Sequence, residues 1–342
     1  MSASIGIGLV GCGAMGRTHA QVWEGIEEAR IVAVCDSQAE AAARVAESSG
    51  AIACADLGEL LRVPGVDAVD ICTPSGMHAA QVLAAARSGR HVLCEKPLGL
   101  RLDEVDAAIA EVERRGLRLG CVFQRRAFAA PRSVAQAVHA GHMGRLLLCS
   151  ASVKWWRDQA YYDSSAWRGT WAMDGGVLAN QAIHAIDHLC WLAGRVVEVE
   201  VAHLETAAHG MEAEDLALAV VRYESGALGV IEATTCSNPP LSSRVEVVGT
   251  RGSAAFDEAM LVRLGLDGVE QPLGAGADEG RLGGSGRAAD ISLHGHALLL
   301  RDFALAVRDG RPPMVDGHAA RMSVEALALI YARAGLPPVS SR

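Results

Sequence analysis

Residues 5–16 read IGIGLVGCGAMG, an apolar run followed directly by three spaced glycines. The apolar part predicts a buried strand, and the glycine-rich part predicts a tight turn that opens a helix. In such a turn Gly11 permits the bend, Gly13 lets the backbone approach a pyrophosphate, and Gly16 allows the helix to pack closely on the strand. Amide groups at the helix N-terminus favour an anion. The stretch therefore predicts a dinucleotide-binding unit.

Around this unit, short apolar runs alternate with helical patterns as far as residue 123. The strand-like runs are Ile5–Val10, Ile31–Cys35, Ala51–Cys54, Ala68–Cys72, His91–Cys94 and Leu117–Phe123. Because these runs are continuously apolar, we expect them to be buried on both faces, as in a parallel sheet with helices on each side. The predicted fold class is α/β, with a doubly wound Rossmann sheet in a domain of residues 1–123.

The character of the chain changes after residue 123. Alternating strand-type stretches at 145–156 and 195–262 predict a large, open, mostly antiparallel sheet. Beyond them we expect a glycine-rich loop or hairpin tip and two amphipathic helices, at Gly265–Gly286, His296–Arg308 and His318–Ala334 respectively. Residues 124–342 are thus predicted to form one α+β domain for substrate binding and oligomerisation.

Composition bounds the class of protein. A chain of 342 residues is long enough for two domains with separate cores. Its formal net charge of −9 argues against nucleic acid or an acidic membrane surface as a partner. The nine cysteines are scattered singly in apolar sequence, so we interpret them as reduced and mostly buried. Since no leader-like segment and no apolar span of 18 residues is present, we expect a cytoplasmic protein.

The second strand-like run is followed by Asp36, 20 residues after Gly16. A carboxylate here suits ribose hydroxyls and repels a 2′-phosphate, so we predict NAD rather than NADP as the cofactor. As a structural alternative, Asp36 caps the start of the next helix. Arg17 or Arg44 also remain available to a phosphate.

Two further strand ends carry polar residues. Thr73-Pro74 follows the fourth run, with His78 one helical turn beyond, and Glu95-Lys96-Pro97 follows the fifth. Ligands of parallel sheets bind at the carboxyl ends of the strands, so an ammonium at Lys96 would point into the ligand crevice. Proline stops the strand and is compatible with a cis bond. The structural alternatives are a solvated His78 at a helix start and a surface turn at Lys96.

Taken with the glycine loop, these motifs resemble the Gfo/Idh/MocA oxidoreductases, the relatives of glucose-fructose oxidoreductase and inositol dehydrogenase. The resemblance includes the motif Gly175-Gly176-x-Leu178-x-Asn180-Gln181-x-Ile183-His184-x-Ile186-Asp187 and covers nearly the whole chain. It implies NAD(P)-linked hydride transfer to or from a hydroxyl or keto carbon of a sugar, cyclitol or nucleotide-sugar. It also implies that Lys96 lies beside nicotinamide and substrate and that His184 is the general acid/base.

Asn180 departs from the commoner motif, in which many members have aspartate. An amide does not accept a proton as a carboxylate does, so the predicted role of Asn180 is to orient a hydroxyl or the imidazole. This variant resembles a subgroup that includes UDP-N-acetylglucosamine-type 3-dehydrogenases. Lys96 and His184 then carry the proton between them, and the choice of base stays open at this point.

Five of the six tryptophans lie between residues 155 and 191, together with two tyrosines. Flat aromatic faces suit the C–H faces of a sugar, although such residues equally form a domain core. The predicted substrate contacts are Lys96, Arg157, Tyr162, Asn180 and His184. The predicted cofactor contacts are Gly11, Gly13, Ala14, Met15, Gly16, Asp36, Thr73, Pro74, His78, Glu95, Lys96, Trp167 and Arg168.

Several alternatives accompany this interpretation. His184, Asp187 and His188 have a spacing typical of metal ligands, but no third motif supports a metal and we assign none. We interpret Asp187 as a helix-face partner and His188 as a packing residue. Other open functions are an NAD-dependent glycosidase that oxidises, eliminates and re-reduces, and a non-catalytic NAD-binding regulator. A broad half-exposed sheet predicts a homodimer or homotetramer.

Overall fold

The computed structural model describes residues 4–241, 243–258, 260–270 and 293–336. The described residues form two compact units. The first consists of residues 4–124 and 293–321, and the second of residues 125–270, with the gaps just given, and 322–336. Within the described part, no helix combines the length and the apolar character that a membrane crossing requires.

The first unit contains a six-stranded parallel sheet. Its strands are β1 (Ile5–Val10), β2 (Ala29–Cys35), β3 (Ile52–Cys54), β4 (Ala68–Ile71), β5 (His91–Glu95) and β6 (Leu119–Val122). They lie in the order β3-β2-β1-β4-β5-β6, and every neighbouring pair is parallel. This is the strand order of dinucleotide-binding sheets, so the predicted doubly wound α/β fold is confirmed.

Helices cover both faces of this sheet, which explains why its strands are apolar throughout. They are α1 (Ala14–Glu24), α2 (Ala39–Ser49), α3 (Leu57–Leu60), α4 (His78–Arg87), α5 (Leu102–Arg114) and α10 (Leu293–Asp309). Every residue of β4 and of β6 is buried. The predicted alternation of apolar strands with helices before residue 123 is confirmed.

Helix α10 belongs to the first unit, although the sequence division placed it in the second domain. Its Phe303 is buried in one core cluster with Ile7, Trp23 and Leu93. Gly120 on β6 makes room for the aromatic ring, because a Cβ there would lie 3.0 Å from Phe303. An amphipathic pattern predicts that a helix packs but not on which sheet, so a single boundary at residue 123 differs from the observed division.

The second unit contains an eight-stranded sheet in the order β14-β13-β12-β11-β7-β10-β9-β8. The strands are β7 (Leu146–Lys154), β8 (Val196–Glu205), β9 (Leu216–Tyr223), β10 (Leu228–Thr234), β11 (Ser243–Gly249), β12 (Gly252–Asp257), β13 (Met260–Leu266) and β14 (Val269–Glu270). Neighbours are antiparallel except β7 and β10. The predicted mostly antiparallel sheet is confirmed.

The helices of the second unit pack on one face of this sheet. They are α6 (Ala129–His139), α7 (Gln159–Asp163), α8 (Val177–Asn180), α9 (Ile183–Ala193) and the part of α11 (Gly317–Arg333) that follows residue 321. Helix α9 contacts β7 and β11 and is buried along its length except at the half-buried Trp191. Of the predicted glycine-rich loop, residues 265–270 complete β13, a turn and β14, and residues 271–286 lie outside the described residues.

Glu214 is a buried carboxyl that joins α8 to α11. One of its oxygens accepts the Leu178 N–H at 3.0 Å and the Tyr331 hydroxyl at 3.1 Å. Gly176, just before α8, has no room for a side chain because a Cβ would overlap this carboxyl. Burial raises the pKa of Glu214 to about 7. The turn that leads to Asn180 therefore rests on a group that titrates near neutral pH.

This pKa predicts how stability depends on pH. The pKa of Glu214 in the folded protein lies above the ordinary value of 4.5. Its contribution to the free energy of unfolding is therefore fully present below pH 4.5 and is lost as the pH rises through about 7. We expect this group to lower the free energy of unfolding by roughly 3 kcal/mol over that range. Glu214→Gln should remove this part of the slope in urea unfolding measured between about pH 5 and pH 8. Equal slopes for both proteins would contradict the assignment.

Candidate active site

The glycine loop combines two crowded positions with one open position. Gly11 has φ +90°, and a Cβ on it would lie 2.7 Å from the Cys72 carbonyl oxygen. A Cβ on Gly16 would overlap the Gly11 carbonyl. Gly13 instead is exposed, and nothing lies within 4 Å of where its Cβ would stand. This open backbone at the start of α1 fits a dinucleotide pyrophosphate.

Asp36 ties the end of β2 to the glycine loop. Its Oδ2 accepts the Cys12 N–H at 2.7 Å, and its Oδ1 accepts the Gln38 N–H at 2.8 Å. The carboxylate therefore supports the start of α2, as the structural alternative proposed, and lies half-buried beside the loop, as the ribose interpretation requires. Ala14 and Met15, the first residues of α1, are exposed and half-buried respectively.

His78 is buried, so the structural alternative of a solvated histidine is wrong. Its Nε2 lies 2.8 Å from the Thr73 carbonyl oxygen and its Nδ1 lies 2.7 Å from the Pro97 carbonyl oxygen. Burial lowers the pKa of His78, and the two carbonyls act in the opposite direction. His78 therefore links the loop after β4, which includes the half-buried Pro74, to the turn after β5. The Thr73 hydroxyl donates to Gln81 Oε1 at 2.6 Å. Cofactor contact by these residues stays a prediction.

Lys96 stands at the carboxyl end of β5, and the bond from Lys96 to Pro97 is cis. The lysine is half-buried, and its backbone N–H donates to Glu95 Oε2 at 3.1 Å. The Glu95 side chain is buried and turned into the unit. Lys96 thus keeps its place at the ligand edge of the sheet, whereas the Glu95 carboxylate has partners within the protein.

Those partners form the His19 cluster, which consists of His19, Trp23, Asp70, Glu95 and His296. His19 is fully buried, with Nδ1 2.9 Å from Asp70 Oδ2 and Nε2 3.0 Å from Glu95 Oε1. Trp23 Nε1 donates to Asp70 Oδ2 at 2.7 Å, and His296 Nε2 lies 3.8 Å from Glu95 Oε1. Both nitrogens of His19 therefore face carboxylates, the arrangement that favours an imidazolium.

The titration of the cluster follows from this geometry. Burial is the largest effect and opposes the charged ring, but the charge of Asp70, the interaction with Cys72 and the hydrogen bonds to both residues together raise the pKa of His19 well above its usual range. Burial likewise opposes ionisation of Glu95, but the hydrogen bond from His19 and its charge lower the pKa of Glu95 to about 2. The cluster is therefore a buried imidazolium between two carboxylates, and one of these, Glu95, directly precedes Lys96.

In the second unit, Asn180 and His184 stand at the junction of α8 and α9. Asn180 is the last residue of α8 and is half-buried, and His184 lies in the first turn of α9 and is 6% exposed. The Asn180 Nδ2 donates to Asp174 Oδ1 at 2.5 Å. Asp174 is 2% exposed, and its Oδ2 accepts the Gly169 N–H at 2.8 Å. One buried carboxylate thus joins the loop at Gly169 to Asn180.

The triplet with metal-like spacing does not converge on one point. Both Asp187 oxygens accept from the Arg126 guanidinium, at 2.6 and 2.7 Å, and that guanidinium lies over the Trp191 ring. His188 is buried against Phe256, with ring centroids 5.2 Å apart. Burial, together with the nearby arginines, lowers the pKa of His188 to about 3. The interpretation of Asp187 as a helix-face partner and of His188 as packing is confirmed.

The aromatic segment is held together by stacked guanidinium groups. Arg168 lies 4.3 Å from the Tyr161 ring centroid and 4.7 Å from that of Trp167. Arg157 is buried, and its guanidinium lies 5.1 Å from the centroid of the same Tyr161 ring. Trp167 also lines a concavity of about 760 Å³ together with Trp171, Thr170, Met173, Glu212, Ala166 and Ala172. This volume lies within the range of small-molecule pockets.

Tyr162 has a partner within the second unit. Its side chain is 5% exposed, and its hydroxyl lies 2.8 Å from Thr235 Oγ1. Burial raises the pKa of Tyr162. The ring packs against His209, which links Asp215 to the Arg157 carbonyl at 2.8 Å on each side. Direct substrate contact by Tyr162 stays a prediction, and in the structure this residue packs the interior.

His19, Asp70 and Asp174 were not among the predicted site residues. A signal existed for each of them. His19 follows Gly16 by three residues on the inner face of α1, Asp70 is a lone acid in an apolar strand, and Asp174 directly precedes the glycine pair at 175–176.

Three groups of side chains in the described residues could bring ligand atoms to a metal. They are His19 with Asp70 and Cys72, His19 with Glu95 and His296, and His209 with Asp215 and Cys236. In each group a histidine nitrogen lies only 2.8 to 3.0 Å from a carboxylate oxygen. Ligands of a tetrahedral zinc would be about 3.3 Å apart at the usual bond lengths. We therefore describe these groups as hydrogen-bonded pairs.

Comparison with known proteins agrees with this geometry. Residues 5–123 match the oxidoreductase family with an NAD-binding Rossmann fold, and residues 132–255 match the GFO/IDH/MocA C-terminal domain. The chain is 30% identical to the myo-inositol 2-dehydrogenase of Thermotoga maritima over 95% of this chain and 94% of the relative. It is 32% identical to the inositol 2-dehydrogenase of Rubrobacter xylanophilus over 98% and 93% of the two chains.

Among solved structures, the WlbA dehydrogenase from Bordetella pertussis in complex with NADH and UDP-GlcNAcA is similar, with a TM-score of 0.87. The two sequences are 31% identical, and the match covers 98% of this chain and 96% of the other. Both halves of the chain and nearly the whole length of its relatives are therefore matched. The chain belongs to the GFO/IDH/MocA family of oxidoreductases, whose N-terminal domain is an NAD-binding Rossmann fold.

Proposed function

We propose that the protein is an NAD-dependent dehydrogenase that oxidises a hydroxyl group of a sugar, cyclitol or nucleotide-sugar. The observation that carries the proposal is that one parallel sheet ends both in the open glycine loop after β1 and in Lys96 after β5. Ligands of such sheets bind at this edge. The names of the relatives, which are inositol dehydrogenases and an NADH-bound enzyme with a nucleotide-sugar, support this substrate class.

The chain's own residues supply proton transfer and orientation. Bound NAD supplies the acceptor for the hydride that leaves the carbinol carbon. His184 accepts the hydroxyl proton, since imidazole titrates near neutral pH. The Lys96 ammonium stabilises the negative charge that develops on the oxygen. Asn180 orients the hydroxyl through a hydrogen bond.

We also infer NAD rather than NADP and a reducing compartment. Asp36 places a carboxylate beside the glycine loop, where a 2′-phosphate would be repelled. All nine cysteines are free, and seven of them are buried. Free thiols in this number are typical of cytoplasmic proteins, so we place the protein there.

We further infer a homodimer or homotetramer formed across the open face of the second unit's sheet. Leu218 and Val230 are 47% and 42% exposed on neighbouring strands of that face, and Leu148 and Leu228 add to the same surface. An apolar sheet face of this kind is typical of an interface between subunits.

The catalytic roles predict a selective loss of turnover. Lys96→Ala and His184→Ala should each lower kcat at least about 100-fold, because each removes a group that acts on the reacting oxygen. Turnover is measured as NADH formation with myo-inositol, free sugars and UDP-GlcNAcA, and NADH binding is measured by fluorescence. Arg87→Ala and His142→Ala, which remove an exposed cation in the last turn of α4 and an exposed histidine of the second unit, are matched controls. Full turnover in both site variants would refute the mechanism.

The role of Asp36 predicts a change in cofactor preference. Asp36→Asn should raise the ratio of kcat/KM with NADP to that with NAD at least about tenfold, because the repelling charge is removed while an acceptor oxygen stays. Asp56→Asn is the control, since Asp56 caps the start of α3 through the Glu59 N–H at 2.8 Å. An unchanged ratio would show that Asp36 serves only α2.

The open sheet face predicts a change of oligomeric state. Leu218→Lys and Val230→Lys together should shift the protein to monomers in light scattering after size exclusion, because charges placed in an interface must be desolvated. Ile52→Lys is the control, since Ile52 is 54% exposed on β3 in the first unit. A wild-type monomer would contradict the inference outright.

A further inference from the structure

Asp174 is a buried carboxylate of the second unit that is hydrogen-bonded to Asn180, and the comparisons assign it no role. It is 2% exposed, and each of its carboxylate oxygens accepts a hydrogen bond from a neutral N–H group. One donor is the Gly169 backbone, and the other is the side-chain amide of Asn180. Asp174 is therefore hydrogen-bonded to Asn180, one of the residues of the candidate site.

The pairing decides which end of the Asn180 amide faces Asp174. A carboxylate only accepts hydrogen bonds, so the NH2 end of the amide must face Asp174 and the carbonyl end must face away. An amide free to turn could present either a donor or an acceptor. Next to Asp174 it presents an acceptor.

The backbone between the two residues keeps this pairing in place. The Asp174 and Gly175 N–H groups both bond to the Thr170 carbonyl, at 3.1 and 2.9 Å. Gly175 has φ +74°, and Gly176 packs on Glu214 without room for a Cβ. The Asn180 N–H donates to the Gly176 carbonyl at 3.0 Å. Asp174 and Asn180 are thus held by one tight turn and one helical turn.

We propose that Asp174 is a positioning residue that fixes the Asn180 amide with its carbonyl oxygen toward the substrate, so that Asn180 accepts a hydrogen bond from a substrate hydroxyl. This inference rests on the proposed function. It assigns the recognition of a hydroxyl donor to Asn180, and it leaves acceptance of the proton to His184 and stabilisation of the developing charge to Lys96.

A reciprocal exchange of the two side chains tests the proposal. In Asp174→Asn the Gly169 N–H takes the carbonyl end of the new amide, so the new NH2 end faces Asn180. Asn180 must then turn its carbonyl end toward residue 174 and its NH2 end toward the substrate. In Asn180→Asp two carboxylates face each other. In the double variant, residue 174 again accepts from the Gly169 N–H and now donates to the new carboxylate, whose second oxygen is again an acceptor.

We expect each single variant to lower kcat/KM for UDP-GlcNAcA or myo-inositol, whichever the wild type oxidises faster, at least about tenfold, and the double variant to recover most of this loss. The KM for NAD should stay unchanged throughout. The double variant should also show a new loss of kcat/KM toward acid pH, because a carboxyl replaces an amide that does not titrate. A role limited to folding would produce none of these kinetic changes.

Urea unfolding of the same four proteins supplies a readout independent of turnover. We expect both single variants to have a lower midpoint and the double variant to return toward the wild type. Single variants with wild-type midpoints and wild-type kcat/KM would overturn the proposal, as would a double variant that regains stability but not kcat/KM. If the wild type oxidises neither compound, the proposed function fails for these substrates, and the cycle of midpoints alone decides whether Asp174 fixes Asn180.

Discussion

A buried imidazolium between two carboxylates holds the ligand edge of the first unit. His19 on α1 contacts Asp70 on β4 and Glu95 at the end of β5. Taking two carboxylates out of water costs several kcal/mol for each ion, so both strands depend on the charge of His19. His19 therefore joins the helix that starts at the glycine loop to the strand that Lys96 follows. Neither element can shift without breaking a buried ion pair.

The buried carboxylates of the second unit also need hydrogen-bond donors, and they find different ones. Asp187 is paired with the Arg126 guanidinium, so its charge is neutralised in place. Asp215 accepts from His209 and from the backbone N–H groups of residues 207–209, which, after the cost of burial, lower its pKa. Asp174 accepts hydrogen bonds from the Gly169 N–H and from the Asn180 Nδ2. Because a carboxylate accepts and does not donate hydrogen bonds, this pairing turns the NH2 end of the Asn180 amide toward Asp174.

The parts of this structure that could be predicted from sequence are those set by local pattern. Continuous apolar runs located the strands of the first sheet, and the glycine spacing located the turn that opens α1. Strand parity also carries information about Glu95. Leu93 and Glu95 are two residues apart on β5 and so point to the same face, where Leu93 packs in the core. Lys96 is the next residue after the strand, so its side chain points to the opposite face from Glu95. The buried state of Glu95 could thus have been predicted.

Contacts between distant segments set the rest. The partner of the Tyr162 hydroxyl is Thr235, 73 residues away. Helix α10, which begins at Leu293, packs against β1, β5 and β6 of the first unit, and no local periodicity reveals either contact. The pairing of Asp174 with Asn180 is the instructive exception, since the two residues are only six apart. An aspartate at position 180 would face a second carboxylate, and one of the two would have to stay protonated. The departure of Asn180 from the commoner motif and the presence of Asp174 are therefore two parts of one feature, and together they set the number of titratable groups beside His184.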